Sequence, residues 1–590
     1  MPCCYSTDRP TGENRLETNP ISSSYDDVAA QVTSPGQRFE IAEAPVLGIP
    51  TRIFTNAPKS LREIFDTARS RGDATFLVYE DERWSFDDVM ASVDGLAAAL
   101  VERYGVQKGD RVSIGMRNYP EWVLSFAAIT SIGAISVSLN AWWTEDELEY
   151  ALEDSGSKVL IADVERVERS RVACHRLDVA TIGVRLPEGG SFGGSVDRWE
   201  DVVVPGAPMP AVDIEPDDDA TILYTSGTTG RPKGAVSTHR AVTQALTAFG
   251  CRAAIDRART AATAAASGDA GGATAAAAPD NPPSFILIVP LFHVTGCVPV
   301  MLSCFSAGIK LVIMYKWDSE RALELIEREK VTNFVGVPTQ SWDLLESPSF
   351  AKRDTSSLIS VGGGGAPAPP QLVARVDSSF KKARPSLGYG MTETNAYGPG
   401  NNGDDYVKRP TSTGRVVPVM QIEIRDPDGN PVPIGSPGEI WFKGPNLIRG
   451  YWNKPEATAD TIVDGWLRTG DLGRLDDEGF VYVEDRAKDM VLRAGENVYC
   501  AEVEAAIYEL PAVYEAAVFG VPHERLGEEV AAAVYVRPGQ TLTVEELQAH
   551  VRERLAPFKV PTKVMFVDDQ LPRNPAGKIL KRELRDQLVG

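Results

Sequence analysis

A loop rich in glycine and hydroxyl side chains, Tyr224–Gly234, carries the first chemical pattern in this chain. It reads Tyr-Thr-Ser-Gly-Thr-Thr-Gly-Arg-Pro-Lys-Gly. Glycines let backbone N–H groups turn toward a ligand, and such amides with neighbouring hydroxyl groups form a concavity that binds anions. Lys233 adds a point charge suited to a polyphosphate. The pattern predicts a phosphate site, although its spacing is not that of the common phosphate loop; the alternative is a flexible turn with a solvated lysine.

A second stretch, Gly388–Thr394, reads Gly-Tyr-Gly-Met-Thr-Glu-Thr. An aromatic ring between glycines can lie flat against a purine, which suits Tyr389. Glu393 offers a hard oxygen ligand for a Mg²⁺ ion that is held jointly with phosphates. Taken alone, the stretch is equally typical of a glycine-bounded loop with a surface glutamate.

Three further stretches contain residues that could contact a nucleotide or its substrate. Val361–Pro367 (Val-Gly-Gly-Gly-Gly-Ala-Pro) allows a close approach of backbone to a flat group, although a strand end followed by a helix explains it as well. In Thr469-Gly470-Asp471, a carboxylate in a tight turn could accept both hydroxyls of a ribose. Lys578, near the end of the sequence, is by itself typical of a solvated surface lysine.

Over residues 60–585 these ordered motifs resemble the adenylate-forming superfamily of acyl-CoA synthetases, luciferases and peptide-synthetase adenylation domains. The resemblance implies that ATP is bound as Mg·ATP, with Thr225 and Glu393 on the metal side. The implied nucleotide-binding residues are Thr225, Ser226, Gly227, Thr228, Thr229, Lys233, Gly365, Ala366, Pro367, Gly388, Tyr389, Gly390, Thr392, Asp471 and Arg486.

The resemblance also assigns roles near the C-terminus. Lys578 matches the lysine that orients the substrate carboxylate and stabilises charge in the transition state. Lys488 matches the hinge about which a C-terminal domain rotates, although Asp485–Asp489 could be merely a charged linker. The stretch Gly495, Glu496 and Asn497 is expected beside CoA.

His293, in Pro290–Gly296, bears on the identity of the acid. Amino-acid-activating relatives have an aspartate at this position, whereas histidine has no fixed negative charge. An acid without an α-amine is therefore favoured, with a core histidine as the alternative. Apolar and small neighbours predict a roomy tunnel for a medium- or long-chain fatty acid, with an aryl or cyclic acid as the alternative. The expected acid-binding residues are His293, Val337, Gly362, Gly363 and Met391. The resemblance also places His293 by the reacting carboxylate, so it is expected among the catalytic residues with Lys578 and the hinge residue Lys488.

The predicted reaction has two steps. The carboxylate attacks the α-phosphate of ATP to give acyl-AMP and pyrophosphate, and the CoA thiol then attacks the acyl carbonyl. An acyl-AMP ligase that loads a carrier protein is one alternative, and a non-catalytic nucleotide or fatty-acid binder is another. A binder would not require the simultaneous presence of Lys233, Glu393, Asp471, Arg486 and Lys578.

Composition limits the partners. A formal net charge of −22 argues against nucleic acid or an anionic membrane as the main partner, although peripheral membrane contact stays open.

Seven cysteines in no metal spacing, and no secretory signal, favour a reduced cytoplasmic chain. Phe285–Ile309 has no charged residue, but its prolines and glycines favour a buried strand, loop and helix over a membrane span. We expect a monomer or homodimer.

The order of elements predicts an α/β fold. Helices and strands alternate from Ser60, which indicates a large N-terminal domain of doubly wound α/β layers and a small, mobile α+β C-terminal domain. Capping boxes are expected at Thr144 with Glu147 and at Thr543 with Glu546.

The expected divisions of the chain are a disordered leader (1–35), an N-terminal domain (36–485), a hinge (485–489) and a C-terminal domain (486–590). The first part of the Ala-rich stretch 252–283 could extend the preceding helix. Because it lacks apolar periodicity, we predict an exposed, partly disordered insertion.

Overall fold

The structure is a computed structural model that describes residues 24–189, 196–225, 231–266, 281–366, 368–494, 496–574 and 577–589. The predicted site residues outside these ranges are Ser226, Gly227, Thr228, Thr229, Pro367 and Gly495. Residues 1–23 of the expected leader and 267–280 of the expected insertion also lie outside them.

Two eight-stranded sheets form the N-terminal domain. In spatial order, sheet 1 contains β20 (Gly450–Tyr451), β11 (Lys233–Thr238), β10 (Asp219–Thr225), β6 (Ile135–Ser138), β5 (Arg111–Gly115), β7 (Val159–Asp163), β8 (Ala180–Val184) and β9 (Val196–Arg198). Sheet 2 contains β17 (Gly400–Asn402), β16 (Arg384–Gly388), β15 (Ser360–Gly364), β14 (Asn333–Gly336), β12 (Ser284–Leu287), β13 (Lys310–Ile313), β3 (Thr75–Tyr79) and β4 (Glu82–Ser85).

The interior strands of both sheets are parallel, and antiparallel strands lie at the edges. Every residue of β6 and β7 is buried, as expected for parallel strands that are covered on both faces by helices. Since the carboxyl ends of parallel strands share one edge of a sheet, the loops after β12, β14, β15 and β16 open on the same side.

Helices cover these sheets and follow the expected local rules. The N-terminal helices are α1 (Tyr25–Val32), α2 (Leu61–Ala68), α3 (Phe86–Glu102), α4 (Pro120–Ser131), α5 (Glu145–Ser155), α6 (Val164–Leu177), α7 (Trp199–Val202), α8 (His239–Ala266), α9 (Ser303–Ala307), α10 (Ser319–Glu329), α11 (Pro338–Glu346), α12 (Pro370–Ser379), α13 (Gly403–Lys408) and α14 (Pro455–Thr461). The predicted capping box is present at α5, where the Glu147 amide donates to Thr144 Oγ1 and the Thr144 amide donates to Glu147 Oε2.

A hairpin and a third sheet complete the N-terminal domain. The hairpin is β1 (Ile41–Val46) with β2 (Ile49–Phe54). Antiparallel sheet 3 contains β18 (Gln421–Arg425), β19 (Gly438–Lys443), β22 (Trp466–Leu475), β21 (Ile462–Val463) and β23 (Val481–Arg486). The sequence did not indicate this sheet as a separate layer.

The C-terminal domain is the predicted small α+β unit. Its strands are β24 (Val491–Arg493), β25 (Glu496–Val498), β26 (Val513–His523), β27 (Gly527–Val536) and β28 (Lys563–Val567), and its helices are α15 (Cys500–Tyr508), α16 (Val544–Arg552) and α17 (Lys581–Val589). Thr543 and Glu546 form the predicted capping box of α16. The hydrophobic clusters of the two domains divide between Val481 and Val491.

The structure differs from the expected leader and insertion. Residues 25–32 form α1, whose Tyr25 and Val28 are buried in the main core. Helix α8 runs through the first part of the expected insertion, where Ile255 is buried and the Arg252 guanidinium donates to the Gly398 carbonyl at 2.5 Å. Alanine contrasts weakly with its neighbours in hydropathy, so this helix has no apolar stripe to reveal it.

The uncharged stretch Phe285–Ile309 is core, as predicted. It forms β12, a loop, a π-helix over Gly296–Leu302 and α9, and most of its side chains are buried. Among the described residues, no helix has both the length and the apolar character needed to cross a bilayer. The five cysteines that the structure describes are buried and free.

Candidate functional site

The ends of the phosphate-loop motif are held by a hairpin. Strands β10 and β11 are antiparallel, with Thr225 opposite Lys233, so the described ends of the loop face each other. Thr225 Oγ1 donates to the Lys233 carbonyl at 3.4 Å. The hairpin therefore fixes both side chains at the carboxyl end of β10, next to parallel strand β6.

Tyr451 connects this hairpin to the Gly388–Thr394 motif, and sequence reasoning missed it. Strand β20 pairs with β11, which puts the Tyr451 ring 5.2 Å from Lys233 Nζ. The Tyr451 hydroxyl donates to Glu393 Oε1 at 2.7 Å. The contact joins residues 58 positions apart in the sequence, so no local pattern predicts it.

Glu393 lies in a short 3-10 turn, Thr392–Thr394, and is 6% exposed. Burial raises the pKa of its carboxyl group, and the hydrogen bond from Tyr451 opposes that effect. Within the part of the chain that the structure describes, no three His, Cys, Asp or Glu side chains form a cluster that could hold a metal ion. A single buried carboxylate fits Mg²⁺ that takes its other ligands from phosphates and water, and does not fit an all-protein metal cage.

Tyr389, Asp471 and Arg486 form a connected group beside this turn. The Tyr389 hydroxyl donates to Asp471 Oδ2 at 2.5 Å, and Arg486 Nε lies 3.3 Å from Asp471 Oδ1. Asp471 pairs with Arg486 across strands β22 and β23, so it lies within a strand, where we had expected a tight turn. Only the neighbouring Gly470 has a left-handed φ, of 70°. The Tyr389 ring is thus oriented by the carboxylate that we predicted to bind ribose.

Glycines form the carboxyl edge of sheet 2 beside Tyr389. Gly364 pairs with Gly388, and Gly363 pairs with Gly336. A Cβ at Gly388 would meet no atom within 4 Å, which leaves space above the strand end. Backbone and ligand can approach closely at such an edge. Of the other predicted residues here, Gly365, Ala366, Thr392 and Met391 lie along this edge, whereas Gly390 packs on the backbone of Ala396 and Gly362 on Ser386.

His293 lies in the loop after β12, at the same edge. Burial lowers its pKa to about 4, so the imidazole is neutral at physiological pH. The Thr295 amide donates to its Nδ1 at 3.3 Å. Because Nδ1 accepts this bond, the neutral ring carries its proton on Nε2 and offers a donor there.

Asn118 holds the loop that carries His293, and sequence reasoning also missed it. It follows β5 of sheet 1, is buried, and donates to the carbonyls of Val289 and Met314 at 3.1 and 3.2 Å. Its Oδ1 accepts from the Leu291 amide at 2.9 Å. Asn118 therefore joins the two large sheets at their carboxyl edges. A polar residue in the loop after a buried strand was the available signal.

Lys578 of the C-terminal domain reaches the site. Burial lowers its pKa to about 8, and the nearby charge of Arg486 acts in the same direction, whereas Asp489 and Asp471 oppose it. The preceding residue, Gly577, has φ +83° and packs on Val337, since a Cβ there would lie 2.7 Å from Val337 Cγ2. The structure thus packs the neighbour of the predicted catalytic lysine on a predicted acid-binding residue, and the charge of the predicted ribose-binding carboxylate acts on this lysine.

The expected hinge adjoins this group, because it contains Arg486, whereas the described CoA residues lie elsewhere. Asp485 accepts hydrogen bonds from the Arg486 and Cys500 amides. The Lys488 side chain is exposed, but partial burial and the charge of Arg486 lower its pKa, and Asp489 and Asp471 oppose that effect, as they do for Lys578. Glu496 and Asn497 are exposed in the β24–β25 hairpin. Among the described residues, no hydrogen bond or ion pair joins either of them to Lys233, Glu393 or Asp471.

Comparison with known proteins identifies the family of this chain. Residues 64–452 match the AMP-binding enzyme family, and residues 502–578 match the AMP-binding enzyme C-terminal domain. The chain belongs to the AMP-binding enzyme family. It is an adenylate-forming acid–CoA ligase, whose substrates include ATP and CoA.

Relatives with different acids are similar to this chain. A Rhodococcus jostii CoA ligase named for a propanoyl group on a methyl-dioxo-octahydroindene is 35% identical, over 90% of this chain and 99% of the relative. The long-chain-fatty-acid–CoA ligase FadD13 of Mycobacterium tuberculosis is 33% identical, over 84% of this chain and 92% of the relative. The anthranilate CoA ligase AuaEII, solved with anthranoyl-AMP, has a TM-score of 0.79 and 25% identity, with 90% and 97% of the two chains covered.

Proposed function

We propose that this ligase forms acyl-AMP at the carboxyl edge of sheet 2, with Lys578 as the catalytic lysine. The observation that carries the proposal is the packing of Gly577, the neighbour of Lys578, on Val337, although Lys578 belongs to the other domain. The charges of Arg486, Asp489 and Asp471 also act on Lys578. A substrate carboxylate oxygen attacks the α-phosphorus, the new O–P bond forms, and the bond to pyrophosphate breaks. The Lys578 ammonium orients the carboxylate and stabilises the developing negative charge.

The polyphosphate lies over the β10–β11 hairpin in this proposal. Lys233 supplies a cation, and Thr225 a hydroxyl group, at the described ends of the loop. Glu393, positioned by the Tyr451 hydroxyl, would hold Mg²⁺ together with the phosphates. When bound, Mg²⁺ neutralises phosphate charge in the transition state. Asp471 accepts hydrogen bonds from the ribose hydroxyls, and Arg486 pairs with the same carboxylate.

The acid enters beside His293 and Val337. The neutral His293 donates from Nε2 to the substrate carboxylate. Burial is the cause of its low pKa, and no neighbouring charge contributes in the described part of the chain. Among the described residues, no charged group acts on His293 that could pair with an α-ammonium group, which favours an acid without one. Val337 is 5% exposed and Val361 is 3% exposed, so the wall is apolar.

The acid that we propose is a medium- or long-chain fatty acid. The apolar wall and the glycines of β15, which carry no side chain, support it. A cyclic or aryl acid is the second candidate, because the Rhodococcus jostii relative is named for a bicyclic propanoyl group and AuaEII for anthranilate.

Thioester formation follows a domain rotation about Lys488. The rotation removes Lys578 and brings Glu496 and Asn497 to the site, where the CoA thiolate attacks the acyl carbonyl. The S–C bond forms as AMP leaves. Closure of this kind protects acyl-AMP from water between the two steps.

The experiment is pyrophosphate release with ATP, Mg²⁺ and a panel of acids from octanoate to palmitate, with cinnamate and benzoate, each with and without CoA. We expect sustained turnover only with CoA, and a preference for the fatty acids. Preference for cinnamate or benzoate would replace the fatty acid by an aryl acid. Turnover at one rate with and without CoA would contradict the two-step scheme.

A further inference from the structure

Helix α11 contacts the C-terminal domain at both of its ends. Directly before its first residue, Val337 packs on Gly577, the neighbour of Lys578. Near its last residue, the Tyr514 hydroxyl of β26 donates to Asp343 Oδ1 at 2.8 Å. Arg537, at the start of the loop after β27, donates to Glu346 Oε1. A single helix thus connects the acid-binding edge to two polar contacts across the domain gap.

Contacts within the N-terminal domain hold the two acidic residues, Asp343 and Glu346, independently of the C-terminal domain. Trp317 Nε1 donates to Asp343 Oδ2 at 2.9 Å, which leaves Oδ1 for Tyr514. Arg375 donates to Glu346 Oε1 at 2.9 Å, and its guanidinium lies 5.0 Å from the Trp342 ring. The acceptors are therefore held in place, and binding them costs little side-chain entropy.

The two donor side chains, Tyr514 and Arg537, are likewise held by contacts within the C-terminal domain. The Arg537 amide donates to the Ala512 carbonyl at 2.8 Å, and its Nε donates to the Pro511 carbonyl at 3.0 Å. The Arg537 guanidinium lies 5.2 Å from the Tyr514 ring. Tyr514 and Arg537 thus form one rigid surface of the C-terminal domain, which meets Asp343 and Glu346 as a pair.

We propose that Asp343 with Tyr514, and Glu346 with Arg537, are positioning residues that hold the orientation in which Lys578 faces the nucleotide. These four residues are called the α11 latch. A rotation of the C-terminal domain must break both contacts, because each joins the two domains. The latch therefore favours acyl-AMP formation and has to open before the thiol step. The inference rests on the proposed role of Lys578.

The test compares half-reactions in the full-length enzyme. The variants are Tyr514→Phe, Arg537→Gln and their combination. Matched controls are Tyr482→Phe, which removes a hydroxyl bonded to Asp476 within the N-terminal domain, and Arg554→Gln, which removes a guanidinium bonded to Glu509 within the C-terminal domain. We expect single-turnover acyl-AMP formation to slow about tenfold in the double variant. Thioester formation from supplied acyl-AMP and CoA should stay unchanged or become faster.

A readout independent of activity is hydrogen–deuterium exchange of the latch peptides. Amides in 338–346 and 511–515 should exchange faster in the latch variants and at the wild-type rate in both controls. Equal loss of both half-reactions, or wild-type adenylation in the double variant, would overturn the latch. If Lys578→Ala formed acyl-AMP at the wild-type rate, the role of Lys578 would fail instead, while the exchange data would still report whether the contact exists.

Discussion

The site contains two lysines that are held in different ways. Lys233 lies in a strand of sheet 1 and contacts the ring of Tyr451, so its position depends on the N-terminal domain alone. Lys578 lies in a C-terminal loop that packs on Val337 and reaches the site across a domain boundary. A residue fixed by a sheet can serve both steps of a reaction, whereas one carried by a second domain can be present for one step and absent from the other.

The largest expected effect comes from removing Lys578, the lysine of the C-terminal domain. Lys578→Ala should slow acyl-AMP formation about a thousandfold, because a cation at the reacting centre stabilises the transition state. Thioester formation from supplied acyl-AMP should stay close to wild type. Rapid-quench measurement of each half-reaction checks the contrast. Equal losses in the two half-reactions would mean that Lys578, like Lys233, can serve both steps.

Changing Glu393 or Tyr451, which the N-terminal domain alone holds in place, should alter the dependence of the reaction on Mg²⁺. Glu393→Gln should lower kcat/KM for ATP about a hundredfold and raise the Mg²⁺ concentration needed for half-maximal rate. Tyr451→Phe should produce the same shift at about tenfold, since Tyr451 acts through the Glu393 carboxylate. Mg²⁺ titrations of pyrophosphate release measure both. A normal Mg²⁺ dependence in Glu393→Gln would remove this residue from the metal site.

The packing beside Lys578 can be disturbed without changing the charge of this lysine. Gly577→Ala should slow acyl-AMP formation about tenfold, because the new methyl group meets Val337 at a left-handed φ and shifts the loop. Gly539→Ala is the matched control, since Gly539 has φ +79° and open space around the added Cβ. Adding Val337→Ala should restore part of the lost rate. No difference between the two glycine variants would mean that the contact with Val337 does not position Lys578.

The smallest effect is a pH dependence confined to one half-reaction. With a pKa of about 8, Lys578 is charged below pH 8 and loses its proton above it. In the free enzyme, kcat/KM for acyl-AMP formation should therefore fall about fivefold between pH 8 and pH 9. Lys578→Arg should lose this decline, because arginine stays protonated. A decline that persists in Lys578→Arg would assign it to another group.

Local sequence determined the chemical groups of this site. The residue types around Lys233, Glu393, Asp471 and Lys578 give a cation, a metal-binding carboxylate, a hydrogen-bond acceptor and a second cation. These properties depend on the residues themselves and on short spacings. The α/β alternation and two capping boxes were equally predictable, because helix and strand periodicities are local.

Tertiary structure alone decided which groups meet. Tyr451 acts on Glu393, and Asn118 acts on the His293 loop, from elements far away in the sequence. No local pattern predicts the contact of Tyr451, and the polar residue after β5 does not show which loop it holds. Helix α8 lacked an apolar stripe, and its burial depends on partners such as Gly398. The site of Lys578 needed the docking of a second domain, which is set by contacts as distant as Tyr514 with Asp343. Sequence periodicity reports the neighbours of a residue along the chain, whereas these contacts depend on how separate elements pack.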